Sequence, residues 1–157
     1  MIGEAPGHRG CRWSGIPFTD EIRLIQAENI QNIPLQGDEY IVISEKPHRE
    51  PSASILWSVF EEILYFPLLW NIFPFHPHPA GNFNKNRTPT QREIESYSYF
   101  VNDLLNLFPS IIKVYALGRK SEKKFDEMGI RAEYIRHPAN GGANKCKMKI
   151  EEISGNM

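Results

Sequence analysis

The chain has 157 residues, 41% of them apolar and 24% charged, with 12 Pro and 11 Gly. That balance suits one globular domain over residues 1–157 and excludes a disordered tail, a collagen-like repeat and a small disulfide-stapled scaffold. No apolar run approaches the roughly 18 residues of a membrane span, and the opening MIGEAPGHRG lacks the apolar core of a secretion signal. Two cysteines, Cys11 and Cys146, are too few for a disulfide framework or a four-thiolate centre, so a reducing, cytoplasmic compartment is expected; the chain is read as acting as a monomer.

The net charge of −1 conceals a division along the chain. Residues 1–75 hold 5 Lys/Arg against 10 Asp/Glu, whereas residues 76–149 hold 13 against 7. Such a chain can turn a basic face to a polyanion while staying neutral as a whole; an uneven scatter of solvated charges gives the same count.

A Gly- and Pro-rich loop over 3–19 comes first, and a short helix carrying Ile22, Leu24 and Ile25 follows Thr19, whose hydroxyl is suited to capping it. Tyr40, Ile41, Val42 and Ile43 form a brief β-like run. Pro51 opens an amphipathic helix whose stripe is Ile55, Leu56, Val59, Phe60, Ile63 and Leu64. Residues 66–73 are apolar but for Asn71, the pattern of a buried parallel strand. A loop over 74–88, dense in Pro, His, Asn and Gly, ends in Thr88-Pro89-Thr90-Gln91, a capping pattern with Pro89 at the first helical position. One helix then carries Ile94, Tyr97, Val101, Leu104, Leu105 and Phe108 on one face. A strand over 111–117, a helix over 120–128, a strand over 131–135 and a last short helix after Gly141-Gly142 complete the order. Alternating strands and helices imply parallel strands with right-handed crossovers: a three-layer α/β/α domain on a mainly parallel four-stranded sheet. Only Met1-Ile2 precede the first motif, so the first strand is expected to be curtailed. Ligands of such sheets lie at the carboxyl ends of the strands, where the loops 3–19, 71–88 and 137–143 should converge.

Three segments place polar residues at those ends. They are Gly3-Glu4-Ala5-Pro6-Gly7 with Gly15-Ile16-Pro17-Phe18-Thr19, then Asn71 with the loop to Asn86-Arg87-Thr88-Pro89, then His137-Pro138-Ala139-Asn140. In this order the set resembles the uracil-DNA glycosylase superfamily, most closely its GEAPG-bearing branch, often called family 4, over residues 3 to about 146. The resemblance implies a monofunctional enzyme that hydrolyses the N-glycosidic bond of uracil in single- or double-stranded DNA, releasing free uracil in base excision repair.

Each position has a chemical reading beside that resemblance. Phe18 is suited to stacking on a flipped base, or is an ordinary buried loop aromatic. Asn71 offers the donor and acceptor that the O4 and N3–H of uracil require, or satisfies a structural need within its strand. His137 matches the superfamily histidine that hydrogen-bonds uracil O2, where negative charge gathers as the base leaves. Glu4 is the carboxylate of the first motif and would orient water, while Ala5 joins the base-binding positions, where the best-known branch carries Asp. Asn86, Arg87, Asn140, Gly141 and Gly142 are candidates for the DNA backbone, the glycines because they free N–H groups before a helix. The loop Ala139-Asn140-Gly141-Gly142-Ala143 holds nothing large, where the superfamily often inserts a bulky apolar residue into the base stack. Two cysteines cannot supply the four of the iron–sulfur branch, so no cofactor is expected, and no lysine stands in a Schiff-base motif.

Two other readings compete. His76-Pro77-His78, with His8 or His137, has the look of a metal site, although no carboxylate or thiolate completes it at helical spacing. A base- or nucleotide-binding module that keeps the fold without the chemistry fits the curtailed first strand and the missing motif aspartate.

Overall fold

The computed structural model describes residues 1–27, 44–63, 66–111 and 113–155. The β-like run over 40–43 lies outside them. Among the described residues four short strands form one sheet: β1 (Ile2–Gly3), β2 (Trp70–Asn71), β3 (Tyr115–Leu117) and β4 (Glu133–Ile135). Their order is β2-β1-β3-β4, and every neighbouring pair is parallel.

β1 is short, yet it lies inside the sheet, between β2 and β3. Ile2 stands opposite both Trp70 and Ala116, and Gly3 opposite Asn71. The pairing continues past the strand: Ile72 N–H donates to Gly3 O at 2.9 Å and Phe73 N–H to Glu4 O at 3.0 Å. Two residues suffice because neighbours on both sides take up the polar backbone groups that burial would otherwise leave unpaired. Glu4 is therefore anchored through its backbone. The apolar run over 66–73 supplies a strand of only two residues, its flanks running as irregular chain beside residues 1–4.

The period-two alternation of β3 divides the core. Tyr115 and Leu117 point to one layer, with Phe18, with Leu56, Trp57 and Phe60 of α3 (Pro51–Phe60), and with Cys146 and Ile150 of α7 (Ala143–Gly155). Ala116 points to the other, with Ile2, Ile72, Val101 of α5 (Tyr99–Leu107) and Phe125 of α6 (Arg119–Glu127). Helices cover both faces of the parallel sheet, the expected three layers. No helix among the described residues is long and apolar enough to cross a membrane.

The local signals worked unevenly. Pro51 does start α3, and Leu56, Val59 and Phe60 of its stripe are buried. Two expected caps shift by a residue or two. Asp20, not Thr19, opens α2 (Glu21–Ala27), its Oδ1 accepting from Arg23 N–H at 2.8 Å while the Thr19 hydroxyl donates to Pro17 O. Thr90, not Thr88, caps α4 (Gln91–Tyr97) in a reciprocal box with Glu93, so Pro89 lies outside the helix. The helix expected to run from there to Phe108 is divided at Ser98, where Val101 N–H bonds to Ser98 O three residues back and tightens the turn.

Candidate active site

At the carboxyl ends of the strands opens a cleft of about 450 Å³. Glu4 follows β1, Asn71 ends β2, Lys120 lies in the first turn after β3 and His137 follows β4, and all four line it. The three loops thus converge at the end where parallel sheets hold ligands. A second hollow of about 390 Å³ adjoins it, sharing Glu50, Ser52, Asn86 and Ala139.

The floor is a close contact of three residues. A Cβ built on Gly3 would lie 2.4 Å from Phe18 Cζ and 2.9 Å from Asn71 Oδ1, so only glycine lets ring and amide approach. Phe18 is 8% exposed and has φ of +56°, a left-handed conformation costing a non-glycine residue roughly 1–2 kcal/mol. The turn over-determines it. Ser14 Oγ donates to Thr19 O at 2.6 Å, Thr19 N–H to Ile16 O at 3.2 Å and Trp57 Nε1 to Phe18 O at 3.2 Å. Asn71 is 2% exposed, and its Oδ1 has no hydrogen-bond partner among the described residues. Ala5 lines the same cleft.

His137 accepts at Nδ1 from Ala139 N–H at 3.1 Å, which leaves the proton of the neutral ring on Nε2. Burial, then the charge of Arg136, lowers its pKa, so the neutral form persists to lower pH than for an ordinary histidine. A second consequence of this turn concerns the glycines. A Cβ on Gly142 would lie 2.0 Å from His137 O, and its N–H bonds to Ala139 O at 3.2 Å. Gly142 is thus required by close packing and has no free N–H for a phosphate, contrary to the expectation for that residue. Asn140, with φ of +53°, and Gly141 shape the same turn, and Asn140 borders the second hollow.

Glu4 is joined by a residue the sequence did not reveal. Lys120 Nζ donates to Glu4 Oε2 at 3.2 Å and to Thr88 Oγ1 at 2.6 Å, bridging loops after β1 and β2 from the start of α6. A surface lysine in the run Arg119-Lys120-Ser121-Glu122 gives no local sign of this.

Glu50 was missed too. Its carboxyl packs on Gly7 and Gly10, where added Cβ atoms would lie 2.3 and 2.0 Å from its oxygens, and it faces both hollows. Burial, then the charge of Asp20, pushes its pKa up to about 7. Standing just before Pro51, it looks in sequence like an ordinary residue at a helix start.

The loop residues divide. Asn86 Oδ1 accepts from His8 N–H at 2.8 Å and fastens the first loop to the second at the cleft's rim. Arg87 is committed elsewhere: its guanidinium makes a two-pronged pair with Glu93 at 2.6 and 2.7 Å and donates to His78 O at 2.9 Å. Hydrogen bonds from Arg87 and then Thr90 draw the Glu93 pKa down to about 2. Arg87 thus locks its loop to α4, and a phosphate would have to displace Glu93 to reach it.

Both ring nitrogens of His76 face backbone carbonyls, Pro6 O at 3.1 Å and Phe83 O at 3.2 Å, and His78 Nδ1 lies 3.0 Å from Pro79 O. These contacts tie loops together. No group of three or more His, Cys, Asp or Glu side chains among the described residues is placed to hold a metal ion.

No protein-family model matches the chain, and no curated protein matches it in sequence. Its backbone is similar to the crystal structure of wild-type SMUG2 from Pedobacter heparinus, a member of the uracil-DNA glycosylase superfamily. The TM-score is 0.62 at 22% identity, over 99% of this chain and 72% of that one. The likeness is one of fold: a parallel sheet between helices, as the alternation of strands and helices implied.

Proposed function

We propose that this protein is a monofunctional DNA glycosylase that hydrolyses the N-glycosidic bond of uracil in DNA and leaves an abasic site, acting as a monomer. The observation that carries the reading is Asn71 Oδ1, buried beside the Phe18 ring in the cleft and without a partner among the described residues. An orphaned acceptor asks for a donor from a ligand. The N3–H of uracil is such a donor and its O4 accepts from the same amide, whereas cytosine presents the reverse pattern. Selectivity arises because the wrong base leaves buried polar groups unpaired.

The remaining residues then take roles in the bond cleavage. The base stacks on Phe18. As the bond between C1′ and N1 breaks, its electron pair passes to the base, and Nε2–H of a neutral His137 donates to O2, where negative charge collects. Glu4 orients a water toward C1′ and favours the cationic sugar, and Lys120 with Thr88 holds that carboxylate in place. The water oxygen bonds to C1′, and its proton passes by way of Glu4 to the departing base.

The test is abasic-site formation on single- and double-stranded oligonucleotides bearing one uracil. Asn71→Ala and His137→Ala should each reduce release at least tenfold; release unaffected by either would refute the site. Ala5, which stands where the best-known branch of the superfamily carries Asp, favours a second reading, a module that binds the base without hydrolysis. Such a protein would retard the oligonucleotide on a gel and release no uracil.

A further inference from the structure

The second hollow is rimmed by His8, Arg9, Ser52, Asn86 and Asn140, and Glu50 is the one acid on its lining among the described residues. Because Glu50, Ser52, Asn86 and Ala139 also face the base cleft, the two spaces meet at these side chains. What the rim offers a ligand is mostly donors. Asn86 Oδ1 is occupied by His8, whose N–H donates to it at 2.8 Å and whose Nδ1 lies 3.2 Å away, so the amide has its Nδ2 left to donate. Arg9 is exposed and holds no ion pair among the described residues, unlike Arg87 with its two bonds to Glu93. Donors gathered in this way suit a ligand that only accepts, as a phosphodiester does.

Glu50 fits that set in one protonation state. The missing Cβ atoms of Gly7 and Gly10 make room for its two oxygens, and its backbone N–H donates to Asp20 Oδ2 at 2.7 Å, so the carboxyl is held where the hollows meet. Burial and the charge of Asp20 both favour the neutral acid, and no hydrogen bond or cation reaches the oxygens among the described residues. A neutral carboxyl brings an O–H to the rim, whereas an ionised one repels an anion. The groups around it behave differently. Burial lowers the pKa of His8 and of His137 and lifts the Cys11 thiol to about 12. His48 is bound to Glu21, Glu4 is paired with Lys120, and Arg9 and Arg87 bring fixed positive charge.

We propose that the second hollow holds a phosphodiester flanking the excised nucleotide, and that Glu50 meets it as a neutral acid donating a hydrogen bond to a phosphate oxygen, so that binding the strand takes up a proton. This rests on the glycosylase reading, and the experiment separates the two. Binding is measured by fluorescence anisotropy from pH 5.5 to 8.5, with folding checked by circular dichroism at each pH. The probes are single- and double-stranded oligonucleotides carrying 2′-fluoro-2′-deoxyuridine, whose fluorine disfavours a cationic sugar and so slows cleavage. The phosphates on either side of that nucleotide are natural or replaced, one at a time, by an uncharged methylphosphonate. Uracil release from the unmodified strands is followed in parallel.

Wild-type affinity should be level below about pH 6 and weaken roughly tenfold for each unit above about 7, the slope of one linked proton. Glu50→Gln, whose amide also donates, should bind at pH 8.5 within about threefold of its affinity at pH 6. The methylphosphonate on one side should flatten the wild-type dependence in the same way and have no further effect on the slope in Glu50→Gln. A dependence shared equally by wild type and Glu50→Gln, or one confined below pH 6.5 where His8 and His137 titrate, would overturn the role of Glu50 and spare the glycosylase. A slope untouched by the methylphosphonate on either side would overturn the phosphate assignment. Proton-linked binding without any release of uracil would uphold the subsite and overturn the hydrolysis. No binding and no release by the wild type would overturn both.

Discussion

Glu21 and Asn71 are buried to 0% and 2% exposure, yet they are opposites in how their polar atoms are met. The Glu21 carboxylate accepts from Ser44 Oγ at 2.8 Å, from His48 N–H at 2.8 Å and from His48 Nδ1 at 2.7 Å. Burial alone would raise its pKa, but the backbone and side-chain hydrogen bonds from His48, then those from Ser44, outweigh it and draw the pKa below the usual value. Asn71 Oδ1 meets no such partners among the described residues. A buried oxygen with all its partners fastens chain segments together; one with none costs about 1–3 kcal/mol until a ligand arrives. The first arrangement belongs to the scaffold and the second to the cleft.

The sharpest way to break this contrast is to remove each side chain. Glu21→Ala should cost about 1–3 kcal/mol in chemical denaturation, since it strands the donors that the carboxylate served. Asn71→Ala should change stability by no more than about 1 kcal/mol while uracil release falls tenfold or more. Equal losses of stability in the two variants would erase the distinction. The wild type should also lose the Glu21 contribution as pH falls below the unfolded carboxylate value, because a depressed folded pKa stabilises only where the group is ionised. Glu21→Gln should flatten that dependence.

Glu50 sharpens the contrast with the opposite sign. Its folded pKa, about 7, lies above the unfolded 4.5, so the folded state binds the proton more tightly. Stability should therefore fall as pH rises from about 4.5 to 7, and the full penalty should stand above that. Glu50→Gln should raise stability at pH 8 by about 3 kcal/mol and leave it unchanged at pH 4, as read from urea midpoints. The smallest effect is expected at Lys120, whose bond to Glu4 is half open to solvent. Lys120→Met should alter stability by less than about 1 kcal/mol. It should reduce kcat for release more than it changes KM, with partial rescue by Lys120→Arg.

The parts legible in the sequence were those written in neighbouring residues. The α3 stripe behind Pro51 and the alternation of strands and helices follow from local pattern, while Glu4, Asn71 and His137 stand in the motifs that resemble a known family and are gathered at one cleft by the fold. Lys120 and Glu50 were hidden because their roles come from residues far along the chain: Lys120 meets Glu4 across 116 positions. The pairing of Arg87 was hidden for the same reason. Beside Asn86 this arginine looks like a phosphate ligand, but Glu93 is turned toward it by its own capping duty at Thr90.

Gly3 touches both the Phe18 ring and the Asn71 amide within the space one methyl group would fill. Positions 3, 18 and 71 are therefore not free to vary one at a time. A descendant chain that gained a side chain at the first would have to shrink the second or surrender the third, so substitutions there should appear as correlated sets. Any change of base preference by this route must pass through a simultaneous exchange, which makes the slot slow to drift and, in a library that varies the three together, the place to look for new specificity.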